Sequence, residues 1–570
     1  MYLKVTKNSA GQAYYHLVES YWEKEKGRSR QRVLMSLGKV GEDRIEEAIA
    51  ALSSHRDVFT IMELARSISI DDTYILGPLL VLEKIFERFG INSILDELMK
   101  GRPRLELDLK KIIFTLVAAR FVKPGSKLKI YEHWLKKLYP EMIDSEIGLH
   151  QIYRALDVLY ESKEEIERSL YWHERDLLTM EVDVVLYDLT TLRFESTRQD
   201  LGKLRRFGYS KEMRTDCTQV VFGLLLDTEG IPLGFEVYPG NTFEGDTLKD
   251  IVDKMRQKFK VRRFIFVADR GLFSSKNLDH LRGNDPKDVG EYIVGMKLGV
   301  FKKRHDEFYD LSRFQWISDE LAIYETTHEG ERCIITWSKV RAERDQKTRA
   351  DILAKIQKKL SSKKATPKTF VSNRNYQRFL TGLSDGETPK LNDKAIAEDS
   401  KRDGFFGILT NVKNFTAKEV VINYKQLWVI EDAFGEIKGN LKARPVFHWH
   451  DRRIIGHLTM CFLAYFCEAQ LTKALREKNL VLESPAIDDD VIDPRPLTVV
   501  EAMRELSEVR AIPVKIRSNT IWVRTDIKGN TYKLFHAIGI QIPPKVLNVE
   551  AKNLLAQTLT HDVKSPELRN

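Results

Sequence analysis

Cysteine is scarce. Four occur in 570 residues, Cys217, Cys333, Cys461 and Cys467, and no two form a CxxC pair. That usage argues against a zinc ribbon and against a disulfide framework, and it fits a reducing, cytoplasmic compartment. The N-terminus, MYLKVTKNSAGQAYYHLVES, lacks an apolar core of signal-peptide length. No apolar run reaches the roughly 20 residues that a bilayer span requires, so neither secretion nor membrane insertion is expected. Internal repeats and long low-complexity tracts are missing too. What remains is a chain with 42% apolar side chains, too long for one core and apolar enough to bury several, hence an α/β multidomain protein. Lys and Arg outnumber Asp and Glu by 92 to 83, a net charge of +9 that leans toward a polyanionic partner without requiring one.

Changes of pattern divide the chain into six segments. Residues 1–60 open with short β-type runs (MYLKVTK, AYYHLVESYW, QRVLMSLG) and are expected to form a small basic β-rich module. Its first 32 residues hold seven Lys or Arg against three Glu, with Tyr14, Tyr15, Tyr21 and Trp22 interleaved. Such a ribbon suits DNA as well as it suits a solvated hairpin with its aromatics in a local core. Residues 61–180 turn to helical spacing, as in DLKKIIFTLVAARF and QIYRALDVLYESKEEIERSL, and make a helical domain that could bind DNA ends.

At 182 the text becomes VDVVLYDLTTLRFES, an apolar, β-branched run of the kind that fills a central strand buried on both faces. Two β runs around Asp227-Thr228-Glu229-Gly230 then predict a hairpin, followed by a helix from about 244 to 259. RRFIFVADRGL and EYIVGMK supply two more buried strands with a short helix between them. Strand, hairpin, helix, strand, helix, strand is the order of a ribonuclease H-like mixed sheet, so residues 181–297 are expected to form the first part of a catalytic core of that fold.

The pattern stops near 297 and resumes at GFFGILTN, which makes 298–402 an insertion domain, β-rich at first (LAIYETT, RCIITWSKV) and then helical and charged. From Lys355 to Arg378 it carries eight basic residues and no acidic one. Lys358, Lys359, Lys363 and Lys364 in this stretch suit contacts to a DNA backbone, with a solvated loop as the alternative. Residues 403–478 complete the core and end in the apolar helix IIGHLTMCFLAYFCEAQLTKAL, expected to pack on the sheet; 479–570 form a C-terminal appendage.

Asp188 follows the apolar run VVLY and Asp269 follows FIFVA, so each carboxylate is expected at or near the end of a buried strand, where open α/β sheets place reactive groups. The helix YKQLWVIEDAFGEIKGNL offers three further acids, Glu431, Asp432 and Glu436. Leu427, Ile430, Phe434, Ile437 and Leu441 make the stripe that packs on the sheet. At roughly 100° per residue, Glu431 and Lys438 fall at the edge of that stripe with Tyr424 nearby, whereas Glu436 falls on the solvent side and Asp432 well round. Glu431 is therefore the expected third acid. Three converging carboxylates repel one another unless cations neutralise them, and oxygen donors suit Mg²⁺ or Mn²⁺ rather than zinc. Two such ions about 4 Å apart would stabilise the attacking and leaving oxygens of an in-line displacement at a phosphodiester.

These residues resemble the DDE transposases of bacterial and archaeal insertion sequences, in the branch with a Y-R-E-K signature on the helix of the third acid. Here the signature is Tyr424, Leu427, Glu431, Lys438, with Leu427 where Arg is expected. The phrases GYSKEMRTDCTQVVFGLLLDTEGIPLGFEVYPGNTFEGDT, DGFFGILTN and RPVFHWHDRRIIGHL also match the family's habit, over roughly residues 180–470. The resemblance implies a catalytic and metal-binding triad of Asp188, Asp269 and Glu431. It implies recognition of terminal inverted repeats in double-stranded DNA, hydrolytic nicking and strand transfer into target DNA by a homodimer. It also assigns DNA contacts to Tyr424 and Lys438; Lys425, standing in for the missing Arg, and Arg270 are further candidates. A cytoplasmic, nucleoid-associated location follows. Trp316 and Trp337 of the insertion could stack on a flipped base, though core packing suits them too. His448, His450 and His457 are not expected to hold zinc.

A haloacid-dehalogenase-like phosphatase would need a second Asp two residues after Asp188, where Thr190 stands. A ribonuclease H-like nuclease without strand transfer, and a non-catalytic transposase-derived DNA-binding protein, remain the alternatives at this stage.

Overall fold

The computed structural model describes residues 2–547 apart from 24–25, 40–71, 103–104, 144–145, 174–182, 212, 260–263, 273–274, 283–289, 297, 299–305, 329, 362–366, 368–369, 371–373, 385–386, 481–496 and 517–518. Two compact units result, one of Met1–Leu80, Lys136–Pro140 and Arg504–Asn570, the other of Val81–Leu135 and Glu141–Met503.

In the first unit, β1 (Tyr2–Lys7), β2 (Ala13–Glu23) and β3 (Arg28–Lys39) form an antiparallel sheet in the order β1-β2-β3. Its cations are partly paired, Lys26, Arg28 and Arg30 with Glu23 and Arg32 with Glu19. Trp22 is 63% exposed, so it does not belong to a local core. The short strand β4 (Tyr74–Ile75) also lies in this unit.

The second unit is built on a nine-stranded sheet. β5 (Asp183–Arg193), β6 (Gln219–Leu226), β7 (Pro232–Pro239), β8 (Phe264–Ala268) and β9 (Glu291–Met296) stand in the order β7-β6-β5-β8-β9. β5, β8 and β9 are parallel and β6 and β7 antiparallel, the topology expected for a ribonuclease H-like core. The β6–β7 hairpin turns where predicted: Asp227 Oδ1 accepts from the backbone amides of Glu229 and Ile231, and Gly230 adopts φ 86°, which its lack of a side chain permits.

The insertion differs from expectation. Its strands β10 (Gln315–Ser318), β11 (Leu321–His328) and β12 (Glu331–Ser338) form no separate module. They extend the core sheet through β15 (Phe405–Thr410), which runs antiparallel between β12 and β9; the short pair β13 (Leu380–Thr381) and β14 (Lys390–Leu391) lies between β12 and β15 in the chain. The physical reason is that β9 would otherwise leave an open ladder edge, and the apolar faces of β12 and β15 continue the same buried layer, with Cys333, Ile335, Phe405 and Leu409 in one cluster with the core strands. The remainder of the insertion has its own small core of Ile356, Phe370, Phe379 and Leu380.

The helices preceding the sheet belong to the same unit. Leu109–Val122 and Leu149–Glu161 pack on the long helix Asp451–Glu477, which also contacts β7. That 27-residue helix is apolar and long enough to cross a membrane by composition, yet 94% of its apolar window is buried inside the protein, as befits a core helix. Its approach to Leu149–Glu161 is so close that a Cβ on Gly456 would lie 2.0 Å from the carbonyl oxygen of Leu156. In the first unit, β16 (Arg510–Ile516) and β17 (Asn519–Arg524) complete a sheet with β4, over which Tyr74 and Tyr139 meet Trp522 edge-on.

Candidate active site

Tyr187 of β5 lies in register with Ala268 of β8, so the next residue of each chain, Asp188 and Asp269, projects to the same face of adjacent parallel strands. Asp188 is half-buried between the fully buried Tyr187 and Leu189. Burial raises its carboxyl to about 6; the Lys211 ammonium opposes the rise, and the Glu244 and Asp269 carboxylates add to it. Asp269 is exposed just past the end of β8 and accepts a 3.2 Å hydrogen bond from the Tyr424 hydroxyl. Burial, then the Asp269 charge, pushes that phenol up, so it donates at neutral pH. Gly295 of β9 makes room for it: a Cβ there would stand 2.4 Å from the Tyr424 hydroxyl and 3.1 Å from the Arg270 amide.

The predicted single helix is two. Ala417–Lys425 carries Tyr424, and after Gln426 the helix Leu427–Lys438 begins. Ile430, Ala433, Phe434 and Ile437 are its buried stripe, close to the one anticipated, with Leu427 half-buried. The Lys438 amine donates to Thr190 Oγ1, two residues beyond Asp188 on the same face of β5. Burial, then the Lys211 charge, lowers Lys438 to about 8. Glu431 stands seven residues before Lys438, two helical turns back on the same side, and is exposed. Among the described residues no three His, Cys, Asp or Glu side chains gather closely enough to hold a metal ion, so Glu431 is not within common ligand reach of the two aspartates here.

Glu436 departs from its expected place. It is half-buried rather than solvent-facing, accepts from Asn440, and meets Glu468 of the long helix, whose carboxyl is raised well above its ordinary value by burial and then by Glu436. The helix packs on two sides, against the sheet and against Asp451–Glu477, which a single apolar stripe does not reveal.

Two groups escaped sequence reasoning. Lys211 Nζ stands 4.0 Å from Asp188 Oδ1 and 3.0 Å from Glu244 Oε1, and so places a positive charge between two carboxylates. Glu244 lies in a short turn after β7 that abuts the turn following Asp269, where a Cβ on Gly271 would be 3.5 Å from its Oε2. The phrase GNTFEGDT holds Glu244 in the turn that follows β7, but nothing local in it links this acid to Asp188 or Lys211. The donors near Lys211 are carboxylate oxygens, the chemistry that suits a hard divalent ion.

Lys425 is exposed and lines a cavity of about 240 Å³ with Tyr424, Arg341 and Arg344. Arg341 lies over the Phe406 ring, beside Tyr424. Arg270 is exposed. Lys358 and Lys359 are exposed at the end of the helix Lys339–Leu360, while Lys363 and Lys364 lie outside the described residues. Trp337 is partly buried against the core, and Trp316, stacked edge-on against it at 5.5 Å, is 49% exposed.

Residues 181–467 match the model of the transposase DDE domain, half of the chain and all of the sheet's acids, and the protein belongs to the DDE transposases. These are polynucleotidyl transferases of the endonuclease type that use divalent metal ions. Residues 3–60 match the N-terminal domain of IS1634 family transposases, which makes the chain a bacterial insertion-sequence transposase acting in DNA transposition. Among solved structures, a piggyBac transposase synaptic complex with hairpin DNA is similar at 10% identity and a TM-score of 0.35, over 77% of this chain and 82% of its own. No curated protein matches.

Proposed function

We propose that the protein cuts DNA at the terminal inverted repeats of its element and joins the freed ends to target DNA, with Asp188, Asp269 and Glu431 as ligands for two Mg²⁺ or Mn²⁺ ions. The observation that carries this reading is the same-face pair of aspartates on adjacent parallel strands, flanked by Tyr424 on one side and Lys438 on the other. Bound ions supply charge neutralisation at the attacking and leaving oxygens. Asp188 and Asp269 offer carboxylates fixed by a rigid sheet. Tyr424 holds Asp269 in place, and Glu431 joins from its helix when DNA is engaged. Lys438, steadied by Thr190, offers a cation to a phosphate beside the cut. No side chain acts as nucleophile. In nicking, water forms the new bond to phosphorus as the P–O3′ bond breaks; in joining, the freed 3′-hydroxyl attacks a target phosphodiester and displaces its 3′-oxygen.

Arg270, Lys425, Arg341 and Arg344 extend the basic surface beside Tyr424 and suit the DNA end, and Lys358, Lys359, Lys363 and Lys364 suit backbone contacts further out. A homodimer holding two ends, and a cytoplasmic, nucleoid-associated location, belong to the same reading. The test is incubation of the protein with Mg²⁺ and a labelled duplex bearing the element's terminus, beside Asp188→Ala, Asp269→Ala and Glu431→Ala. Nicking and joining by the wild type alone is the expected result. Cleavage without joining would make it a nuclease, and activity surviving in Glu431→Ala would remove Glu431 from the triad.

A further inference from the structure

A second cationic site lies where the chain leaves the helix of Glu431 and Lys438. A cavity of about 490 Å³ is lined by Arg120, Lys127, Lys442, Arg444, His448 and His457, and no acidic residue lines it. Two of these cations are deeply buried, Arg120 and Lys127 each at 3% exposure. Arg120 Nη1 donates to the carbonyls of Leu441 and Lys442 at 2.9 and 2.8 Å, which ties down the segment after the helix, but its Nε has no partner. The Lys127 amine meets only a neutral acceptor, Nδ1 of His457, whose other ring nitrogen faces the Ala443 carbonyl at 3.1 Å. Among the described residues no ion pair reaches either cation.

Such an arrangement is costly when empty. A guanidinium keeps its proton in any protein environment, and burial, then the Arg120 charge, holds the Lys127 amine well below its ordinary value for want of a counter-charge. Burial keeps His448 and His457 neutral, His448 down at about 3, so neither supplies compensation. Helix capping accounts for one nitrogen of Arg120 and for nothing of Lys127. An anion with several oxygens would satisfy both, and fork-shaped guanidinium donors beside an ammonium suit phosphate.

We propose that this pocket binds a phosphate group, supplied by the backbone of the DNA strand that passes the catalytic face. The DNA source rests on the function proposed above; the phosphate chemistry rests on the pocket alone. Position favours DNA. Lys442 and Arg444 follow Lys438 by four and six residues in the chain, and Phe447 at the lip is 60% exposed, open to a base.

The experiment uses the full chain with Lys127→Met and a Lys442→Ala/Arg444→Ala double variant. Thermal unfolding is followed against inorganic phosphate, with chloride at matched ionic strength as control. We expect phosphate to raise the melting temperature of the wild type and both variants to lose at least about tenfold in apparent phosphate affinity. Lys127→Met should melt no lower than wild type without phosphate, since it replaces a buried amine whose charged form burial disfavours with an apolar side chain of similar length. Equal phosphate responses in all three proteins overturn the proposal. In parallel, binding of a labelled terminal duplex is measured in EDTA. A loss of about tenfold in both variants, with competition by inorganic phosphate, confirms the DNA source. Unchanged DNA affinity with a lost phosphate response overturns that source in favour of a free phosphate compound. Failure of the wild type to bind DNA would sink the proposed function, while the thermal arm would still decide the pocket.

Discussion

Asp188→Asn should stabilise the metal-free protein, and the size of the gain follows from the strand that holds it. Burial raises the Asp188 carboxyl from its ordinary value to about 6, so at pH 8 the folded chain carries a negative charge that its surroundings disfavour. A rise of that size corresponds to roughly 3 kcal/mol. The side chain is 25% exposed, so solvent screens little of it. The opposing Lys211 contact at 4.0 Å is already contained in that rise, so replacing the carboxylate by asparagine leaves a net gain of roughly 3 kcal/mol. The direction with pH is set by the raised value: the native carboxyl favours folding while protonated, and that advantage is lost as pH rises through 6. The variant's gain should therefore be full at pH 8 and vanish near pH 4. Urea unfolding in EDTA, followed by tryptophan fluorescence at both pH values, checks this. Equal midpoints for the two proteins at pH 8 would refute the account, as would a gain that grows toward acid. Mn²⁺ should reverse the order at pH 8 by stabilising only the wild type.

Three further substitutions probe the same architecture. Gly295→Ala puts a methyl 2.4 Å from the Tyr424 hydroxyl and should release Asp269, lowering terminus cleavage by about tenfold or more while DNA affinity in EDTA changes by less than about twofold; a full cleavage rate would show that Tyr424 does not position Asp269. Glu244→Gln leaves Lys211 with Asp188 alone and should weaken Mn²⁺ binding several-fold by electron paramagnetic resonance titration, whereas Lys211→Met should strengthen it, and matching shifts in the two variants would contradict a competition between Lys211 and the ion. Gly456→Ala drives a Cβ to 2.0 Å from the Leu156 carbonyl and should cost about 1–3 kcal/mol of stability in thermal unfolding, with the same change at the open Gly435 as a neutral control.

The parts visible in the sequence are those governed by local periodicity. Asp269 lies just past the end of β8, as its apolar run predicts, the Asp227–Gly230 hairpin turns as its residues dictate, and the stripe of Ile430, Phe434 and Ile437 orients the helix of Glu431; Asp188, expected at or near a strand end, instead lies in the middle of β5, because pairing with β6 carries the strand on to Arg193. What escaped depends on pairing between distant segments. Periodicity marks β11 and β12 as strands but is silent on their partner, so their joining of the core sheet through β15 was hidden. Lys211 and Glu244 sit in loops whose ends meet only after β5, β7 and β8 assemble. The Lys127 and His457 contact spans 330 residues, and no local signal links the two. Glu436 was misjudged because a helix gripped on two sides buries more than one stripe.

The same division bears on how the catalytic centre is completed. Asp188 and Asp269 are fixed by a sheet whose neighbouring residues are fully buried, whereas Glu431 rides on a helix separated from Tyr424 by a break at Gln426. Tyr424 already holds Asp269 and Lys438 already holds Thr190, so the two helices are anchored at either end of the stretch that carries Glu431. Only the intervening turns remain to adjust. Repulsion among three carboxylates opposes a closer approach of Glu431 to the aspartates until cations are present. Lys211 already supplies one positive charge at Asp188, and its displacement toward Glu244 would leave Asp188 open to an incoming ion. Under the proposed function, assembly of the third acid would be coupled to metal and DNA and would confine cutting to the engaged complex.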